Sequence, residues 1–154
     1  MINPPRVLIV DDDLALLQAL PESLRLRIES VTVDTADSGR AALELITSME
    51  YDAIVTDIKM PGTDGLTLLG EIRTRWPDTP VLMITGHGEH ALAIQALRGG
   101  AYDFIQKPID RDHFVAALSR AMRAHALNRR VKDRQVALER CASELQWIVG
   151  RDQP

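Results

Sequence analysis

Cysteine is scarce in this chain, and so are the segments that mark membrane or secreted proteins. Cys141 is the single cysteine among 154 residues, which excludes an internal disulfide and agrees with a reducing compartment. No apolar run approaches the roughly 18 residues of a membrane-spanning helix. The start shows no basic stretch followed by an apolar one, as a signal peptide has. The sequence therefore predicts a cytoplasmic protein without a membrane association.

Charge divides the chain into two unequal parts. Residues 1–119 contain 10 Lys or Arg against 18 Asp or Glu, whereas residues 120–154 contain 8 against 4. An acidic body of this length accommodates one domain with a full core, and the basic remainder is an extension. We predict a globular domain over residues 1–125 and a helical segment over residues 126–154.

Short apolar runs alternate with segments of helical periodicity. Five strands and five helices in alternation imply a parallel sheet covered by helices on both faces, which is an α/β fold. Asp13, Ser38 and Asp64 are the predicted caps of the first three helices. Pro21 should bend the first helix, because proline removes a backbone donor. The predicted strands are Val7–Val10, Val31–Asp34, Ala53–Asp57, Val81–Ile84 and Tyr102–Ile105.

Carboxylates end two of the apolar runs, and these residues carry the predicted chemistry. Asp11 and Asp12 follow the first strand, and Asp57 ends the third. The carboxyl ends of parallel strands share one edge of the sheet, where ligands bind. Crowded carboxylates are costly unless a cation neutralises them, and an all-oxygen cluster selects a hard cation such as Mg²⁺. With that ion bound, a carboxylate can attack phosphorus and form an acyl phosphate.

Two further strand ends add groups that suit a phosphoryl ligand. Thr85 follows the fourth strand and offers a hydroxyl, while Lys107 follows the fifth and offers a point positive charge.

Asp13 is expected to cap the first helix rather than bind metal. His87 and His90 are expected to be exposed loop residues, because no third ligand of suitable type lies near them in sequence.

Four segments in order resemble the receiver domains of two-component response regulators. They cover about residues 5–125 and read VLIVDDD from Val7, TDIKMPGTDG from Thr56, ITGHG from Ile84 and GAYDFIQKP from Gly100. The last two are most similar to receivers of enhancer-binding transcriptional activators of the nitrogen-regulation and dicarboxylate-transport type. In those proteins a helical linker precedes an ATPase domain. The resemblance implies a flavodoxin-like (βα)5 sheet of order 2-1-3-4-5.

The resemblance also implies roles for single residues. Asp57 would be the phosphoacceptor, supplied by a sensor histidine kinase. Asp11, Asp12 and Asp57 would hold Mg²⁺ together with the backbone carbonyl of Lys59. Lys107 would bind the phosphoryl group.

The resemblance also implies a pair of residues that change conformation on phosphorylation, and it points to two positions that differ from most family members. Thr85 and Phe104 would rearrange on phosphorylation, and Pro108 would follow a cis peptide bond. Gly86 is smaller than the alanine common at its position, so the phosphoryl site should be open to small donors and water. Lys59 is a cation where many family members have an uncharged residue.

A phosphatase of the haloacid dehalogenase type is the alternative enzyme function. Such enzymes also use a strand-end aspartate and Mg²⁺, but they place a general-acid aspartate two residues after the nucleophile. Lys59 stands at that position here. Without a proton donor, turnover of an external substrate is not expected, so we predict a signalling protein rather than an enzyme.

The basic extension carries a seven-residue apolar repeat. Ala124, Val131, Leu138 and Leu145 form one set of positions, and Leu127, Arg134, Cys141 and Ile148 form the other. Such a repeat predicts a coiled-coil seam, interrupted at Arg134, that pairs with a second copy. The alternative is a helix folded back on its own domain. Direct DNA contact is not expected because no reading element is present, and His125 is expected on a solvated helix face.

Overall fold

The computed structural model describes residues 4–151 of the chain, with side chains through residue 147. Five parallel strands form one sheet of order β2-β1-β3-β4-β5, and helices connect them. This confirms the predicted flavodoxin-like fold with a long C-terminal helix. The elements are β1 (Arg6–Val10), α1 (Leu14–Arg27), β2 (Thr32–Ala36), α2 (Gly39–Ser48), β3 (Ala53–Asp57), α3 (Gly65–Arg75), β4 (Val81–Thr85), α4 (His90–Arg98), β5 (Asp103–Gln106) and α5 (Arg111–Arg151).

The central strands are apolar on both faces because helices cover both faces of the sheet. Alternate residues of β1 point to opposite sides, so Leu8 and Val10 join a core with α2, α3 and α4. Val7 and Ile9 join a second core with α1 and α5, which contributes the fully buried Phe114. The two cores hold the sheet rigid and keep the strand ends in register.

The predicted caps begin the first three helices. The Asp13 side chain accepts from the Ala15 amide, and Ser38 and Asp64 accept from amides of α2 and α3 in the same way. The helix α1 continues through the buried Pro21 to Arg27, so the proline does not end it. A bend at Pro21 stays a prediction.

His125 departs from its predicted exposure. Its side chain is buried, because this turn of α5 lies against the loops before β3 and β4. The ring Nδ1 lies 3.0 Å from the carbonyl oxygen of Asp78, and Nε2 lies 3.8 Å from a carboxylate oxygen of Asp52. A carbonyl oxygen only accepts, so Nδ1 carries the proton in this contact. The prediction of a solvated His125 is therefore wrong.

Ion pairs extend this attachment further along α5. Arg129 lies 3.8 Å from a carboxylate oxygen of Glu50, and Lys132 pairs with the Asp78 side chain. The helix therefore leaves the globular body about two turns later than residue 125. Because these pairs are largely exposed, they orient the helix more than they stabilise it.

Despite these contacts, the apolar seam of α5 is open to solvent in the single chain. Its apolar side chains are between 58% and 71% exposed, namely Leu127, Val131, Leu138 and Leu145. The side chain of Ile148 lies outside the described residues. Over residues 4–151, no helix combines the length and apolar character needed to cross a bilayer.

Gly65 is required where the loop after β3 turns into α3. A Cβ atom at Gly65 would lie 2.1 Å from the carbonyl oxygen of Asp57 and 2.8 Å from Cα of Ile58. The Gly65 amide also donates to the carbonyl oxygen of Ile58 at 2.8 Å. The backbone that carries Asp57 therefore packs directly on the start of α3.

Gly65→Ala should destabilise the fold by about 2 kcal/mol or more, because backbone atoms must move to admit the methyl group. Gly70→Ala in the same helix is the matched control, since a Cβ there meets nothing within 4 Å in the described chain. That control should stabilise by about 0.5–1 kcal/mol. Urea unfolding measures both changes, and equal effects would contradict the proposed packing.

Candidate functional site

Four strands end at one edge of the sheet and bring the predicted site residues together. Val10 pairs with Thr56 across β1 and β3, and Asp57 pairs with Ile84 across β3 and β4. Thr85 pairs with Gln106, the residue before Lys107. The parallel register therefore places Asp11, Asp57, Thr85 and Lys107 along the same edge.

Three carboxylates form a compact cluster at this edge. Asp11, Asp12 and Asp57 each offer an oxygen atom, and these atoms all lie within 4.8 Å of one another. Asp11 and Asp57 are buried, whereas Asp12 is exposed. The cluster is therefore accessible from one side and backed by the core on the other.

Asp11 has one satisfied and one unsatisfied carboxylate oxygen. Its Oδ1 accepts from the Asp13 amide at 2.9 Å, but its buried Oδ2 has no hydrogen-bond partner among the residues that the structure describes. Burial, together with the charges of Asp57 and Asp12, raises the pKa of Asp11 to about 6, against the lowering effect of the Asp13 hydrogen bond. An unpartnered buried carboxylate oxygen is costly, and a bound cation would remove that cost.

Lys107 supplies the positive charge closest to Asp57. Its Nζ donates to Oδ2 of Asp57 at 3.2 Å. Burial lowers the pKa of Lys107, but the charge and hydrogen bond of Asp57, with the charges of Asp11 and Glu89, outweigh burial and raise it. Lys107 therefore remains protonated at neutral pH and partly neutralises the cluster.

The two residues of the predicted switch lie on neighbouring strands. Thr85 is buried, and its hydroxyl lies 3.5 Å from the carbonyl oxygen of Ile105, at the limit of a hydrogen bond. Phe104 is half-buried and packs against the core below α2, α3 and α4. The peptide bond between Lys107 and Pro108 is cis.

Glu89 is a residue of this edge that the sequence pattern did not identify. Its Oε2 accepts from the Gly86 amide at 2.6 Å, and its Oε1 lies 3.9 Å from Nζ of Lys59. The Lys59 side chain is otherwise largely exposed. The sequence did carry one signal for this contact. Glu89 follows Gly86 by three residues, and the backbone turns between them, so the carboxylate can reach the Gly86 amide.

This arrangement combines a nucleophile with the charges that a phosphoryl group needs. Asp57 is a buried carboxylate held by an ammonium group, and the oxygen donors beside it suit a hard divalent cation. Such a cation would fit the unpartnered Oδ2 of Asp11. The chemistry that the site supports is attack by a carboxylate oxygen on phosphorus.

Comparisons with known proteins identify the family of the chain. Residues 7–119 match the family described as the response regulator receiver domain. The C4-dicarboxylate transport transcriptional regulatory protein DctD of Pseudomonas aeruginosa is 42% identical over 125 residues, which is 79% of this chain and 26% of that protein. The response regulator protein FleR of the same organism is 39% identical over 150 residues, covering 95% of this chain and 30% of that protein. The chain thus spans less than a third of the length of these relatives.

A solved structure extends the comparison to three dimensions. The structure of NtrX from Brucella abortus in complex with ADP has a TM-score of 0.78 and 35% sequence identity to this chain. The match covers 85% of this chain and 30% of that one. With a family model that matches most of the sequence and a shared sheet topology, the chain belongs to the response regulator receiver domain family.

Proposed function

We propose that this chain is a signalling switch in which Asp57 accepts a phosphoryl group from a sensor histidine kinase. The observation that carries the proposal is the cluster of Asp11, Asp12 and Asp57, with Asp57 bonded to Lys107 and Asp11 left with an unpartnered oxygen. The family membership supports the same role. We place the protein in the cytoplasm, in agreement with its free Cys141.

The transfer exchanges one bond to phosphorus for another. A carboxylate oxygen of Asp57 attacks the phosphorus, and a P–O bond forms as the P–N bond to the donor histidine breaks. The electron pair of that P–N bond returns to the imidazole nitrogen. Lys107, already 3.2 Å from the Asp57 carboxylate, balances the negative charge that accumulates on the phosphoryl oxygens.

Mg²⁺ is the cation that we propose for the site. Asp11, Asp12 and Asp57 would hold it together with the backbone carbonyl of Lys59, which is an all-oxygen donor set. When bound, the ion neutralises charge on the carboxylates and on the incoming phosphoryl group. The unpartnered oxygen of Asp11 supports its presence, because nothing else in the described chain satisfies that atom.

The switch would act through Thr85 and Phe104. The weak contact of the Thr85 hydroxyl with Ile105 leaves it free to turn toward a phosphoryl oxygen on Asp57. The half-buried Phe104 ring could then move inward behind it. The helix α4 buries only Ala93 and Ala96, so the surface formed by α4 and β5 resists displacement weakly.

An enzyme acting on external substrates receives less support from the site. The position two residues after Asp57 holds Lys59, whose exposed ammonium group pairs with Glu89 rather than serving as a general acid. We therefore propose that the chemistry of the chain is confined to its own phosphorylation and dephosphorylation.

We also propose that residues 126–154 form a dimerising linker after the receiver domain of residues 1–125. The exposed seam of Leu127, Val131, Leu138 and Leu145 supports pairing with a second copy. The FleR similarity covers 95% of the chain and so includes most of this helix. In this proposal the linker leads to a transcriptional output domain and does not itself bind DNA.

Asp57→Asn should abolish phosphorylation by acetyl phosphate in the presence of Mg²⁺, because the amide is not a nucleophile for phosphorus. Intact-protein mass spectrometry should show one acid-stable, base-labile phosphate on the unmodified chain. Asp64→Asn is the matched control, since asparagine caps α3 as well as aspartate does. Failure of the unmodified chain to gain phosphate would contradict the function.

Mg²⁺ affinity should fall by about tenfold between pH 7 and pH 5, because protons compete for Asp11 below its pKa of about 6. The same raised pKa means that the ion-free fold loses stability as the pH rises through 6, since the unfolded chain releases this proton near 3.8. Calorimetric titration at both pH values tests the first effect. Asp11→Asn should remove most of the pH dependence, and an affinity that is flat in the unmodified chain would contradict this assignment.

Leu138→Glu should convert the full chain from a dimer to a monomer, because it places a charge in the proposed seam. Val136→Glu is the matched control, since Val136 is also an exposed apolar residue of α5 but lies outside both sets of seam positions. Size-exclusion chromatography with light scattering measures the mass. A monomer for the unmodified chain at high concentration, or equal loss of dimer in both variants, would refute the seam.

A further inference from the structure

Glu89 lies in an unusual position for a residue that precedes a helix. It directly precedes α4, yet its side chain caps none of the free amides of that helix. The carboxylate points instead to the strand-end edge, where its Oε2 accepts from the Gly86 amide at 2.6 Å. Only 12% of the side chain is exposed, so this carboxylate is held at the site rather than in solvent.

The carboxyl group of Glu89 also borders the position that a side chain at Gly86 would take. A Cβ atom there would lie 3.4 Å from the carboxyl carbon and from Oε1 of Glu89. The space beside Gly86 is therefore bordered by a carboxyl group, at the distance of an ordinary van der Waals contact.

Glu89 acts on both lysines of the edge, on Lys59 through an ion pair and on Lys107 through its charge. Its Oε1 lies 3.9 Å from Nζ of Lys59, two residues after Asp57. Its charge is also one of those that raise the pKa of Lys107, the residue bonded to Asp57. Glu89 is thus a fourth carboxylate acting on the cations and donors beside the phosphoacceptor.

We infer that Glu89 is a positioning residue whose carboxylate, in the unphosphorylated chain, occupies the Gly86 amide and the Lys59 ammonium group in place of phosphoryl oxygens. The inference rests on the proposed phosphorylation of Asp57. A phosphoryl group and Glu89 then compete for the same donors, and their like charges repel at short range. Glu89 therefore slows phosphorylation and must move when Asp57 is modified.

Movement of Glu89 would be transmitted to α4. The residue is joined to His90, the first residue of that helix, and its carbonyl oxygen accepts from the Ala93 amide. Because α4 buries only two alanines, its first turn can follow the displaced residue at small cost. Glu89 thereby links charge at Asp57 to the α4 surface, separately from Thr85 and Phe104.

The direct test compares initial rates of phosphorylation by acetyl phosphate with Mg²⁺ in the unmodified chain, Glu89→Gln and Glu71→Gln. Glu71 is an exposed glutamate of α3, so its variant removes the same charge away from the edge. Glu89→Gln should react about threefold faster or more, the size expected for the loss of one partly screened charge. The advantage should shrink at high salt, whereas Glu71→Gln should match the unmodified chain.

A spectroscopic measurement separates this role from a merely structural one. In the unmodified chain, the Gly86 amide proton should resonate far downfield, since it donates to a carboxylate at 2.6 Å. Glu89→Ala should move this resonance upfield without phosphorylation. Beryllofluoride with Mg²⁺, which imitates the phosphorylated state, should leave Gly86 with the same resonance in both proteins, because Glu89 no longer contacts it.

The outcomes distinguish the inference from the function on which it rests. Normal labelling of the unmodified chain with equal or slower labelling of Glu89→Gln would overturn the role of Glu89 and leave the phosphoacceptor intact. A Gly86 resonance unchanged in Glu89→Ala would overturn it as well. No labelling of the unmodified chain would refute both proposals together.

Discussion

The repulsion among carboxylates at the strand ends is the constraint on which the rest of the site depends. A parallel sheet brings the ends of β1 and β3 side by side, and the sequence places an aspartate at each. Burial makes the charges harder to tolerate, as the raised pKa of Asp11 shows. Lys107 relieves part of the repulsion through its bond to Asp57, and a divalent cation would relieve the rest.

The opposite edge of the sheet fixes the direction of α5. His125, Arg129 and Lys132 attach the helix to acidic residues of the loops before β3 and β4. The buried Phe114 anchors the start of the same helix in the core. The helix is therefore held along the domain over the same stretch that carries Leu127 and Val131 of its apolar seam.

The sequence allowed most of the architecture to be predicted, because periodicity and capping are local signals. The strand runs and the Asp13 and Ser38 caps each depend on neighbouring residues. His125 was predicted wrongly because its partners, Asp52 and Asp78, lie more than 45 residues away and leave no mark on the helix pattern. Glu89 was overlooked for a related reason, since its importance comes from Lys59 on a different loop. A single sequence gives the least information about charge pairs between residues that are far apart in the chain.

The central claim is that a divalent cation completes the cluster and frees Asp57 to take up phosphorus. Anomalous diffraction from crystals soaked in Mn²⁺, an oxygen-seeking ion that substitutes for Mg²⁺, locates that cation directly. The account predicts a peak in contact with Asp12 and Asp57, with Oδ2 of Asp11 bonded to the ion or to one of its waters. A peak elsewhere, or no peak while that oxygen still lacks a partner, would contradict it.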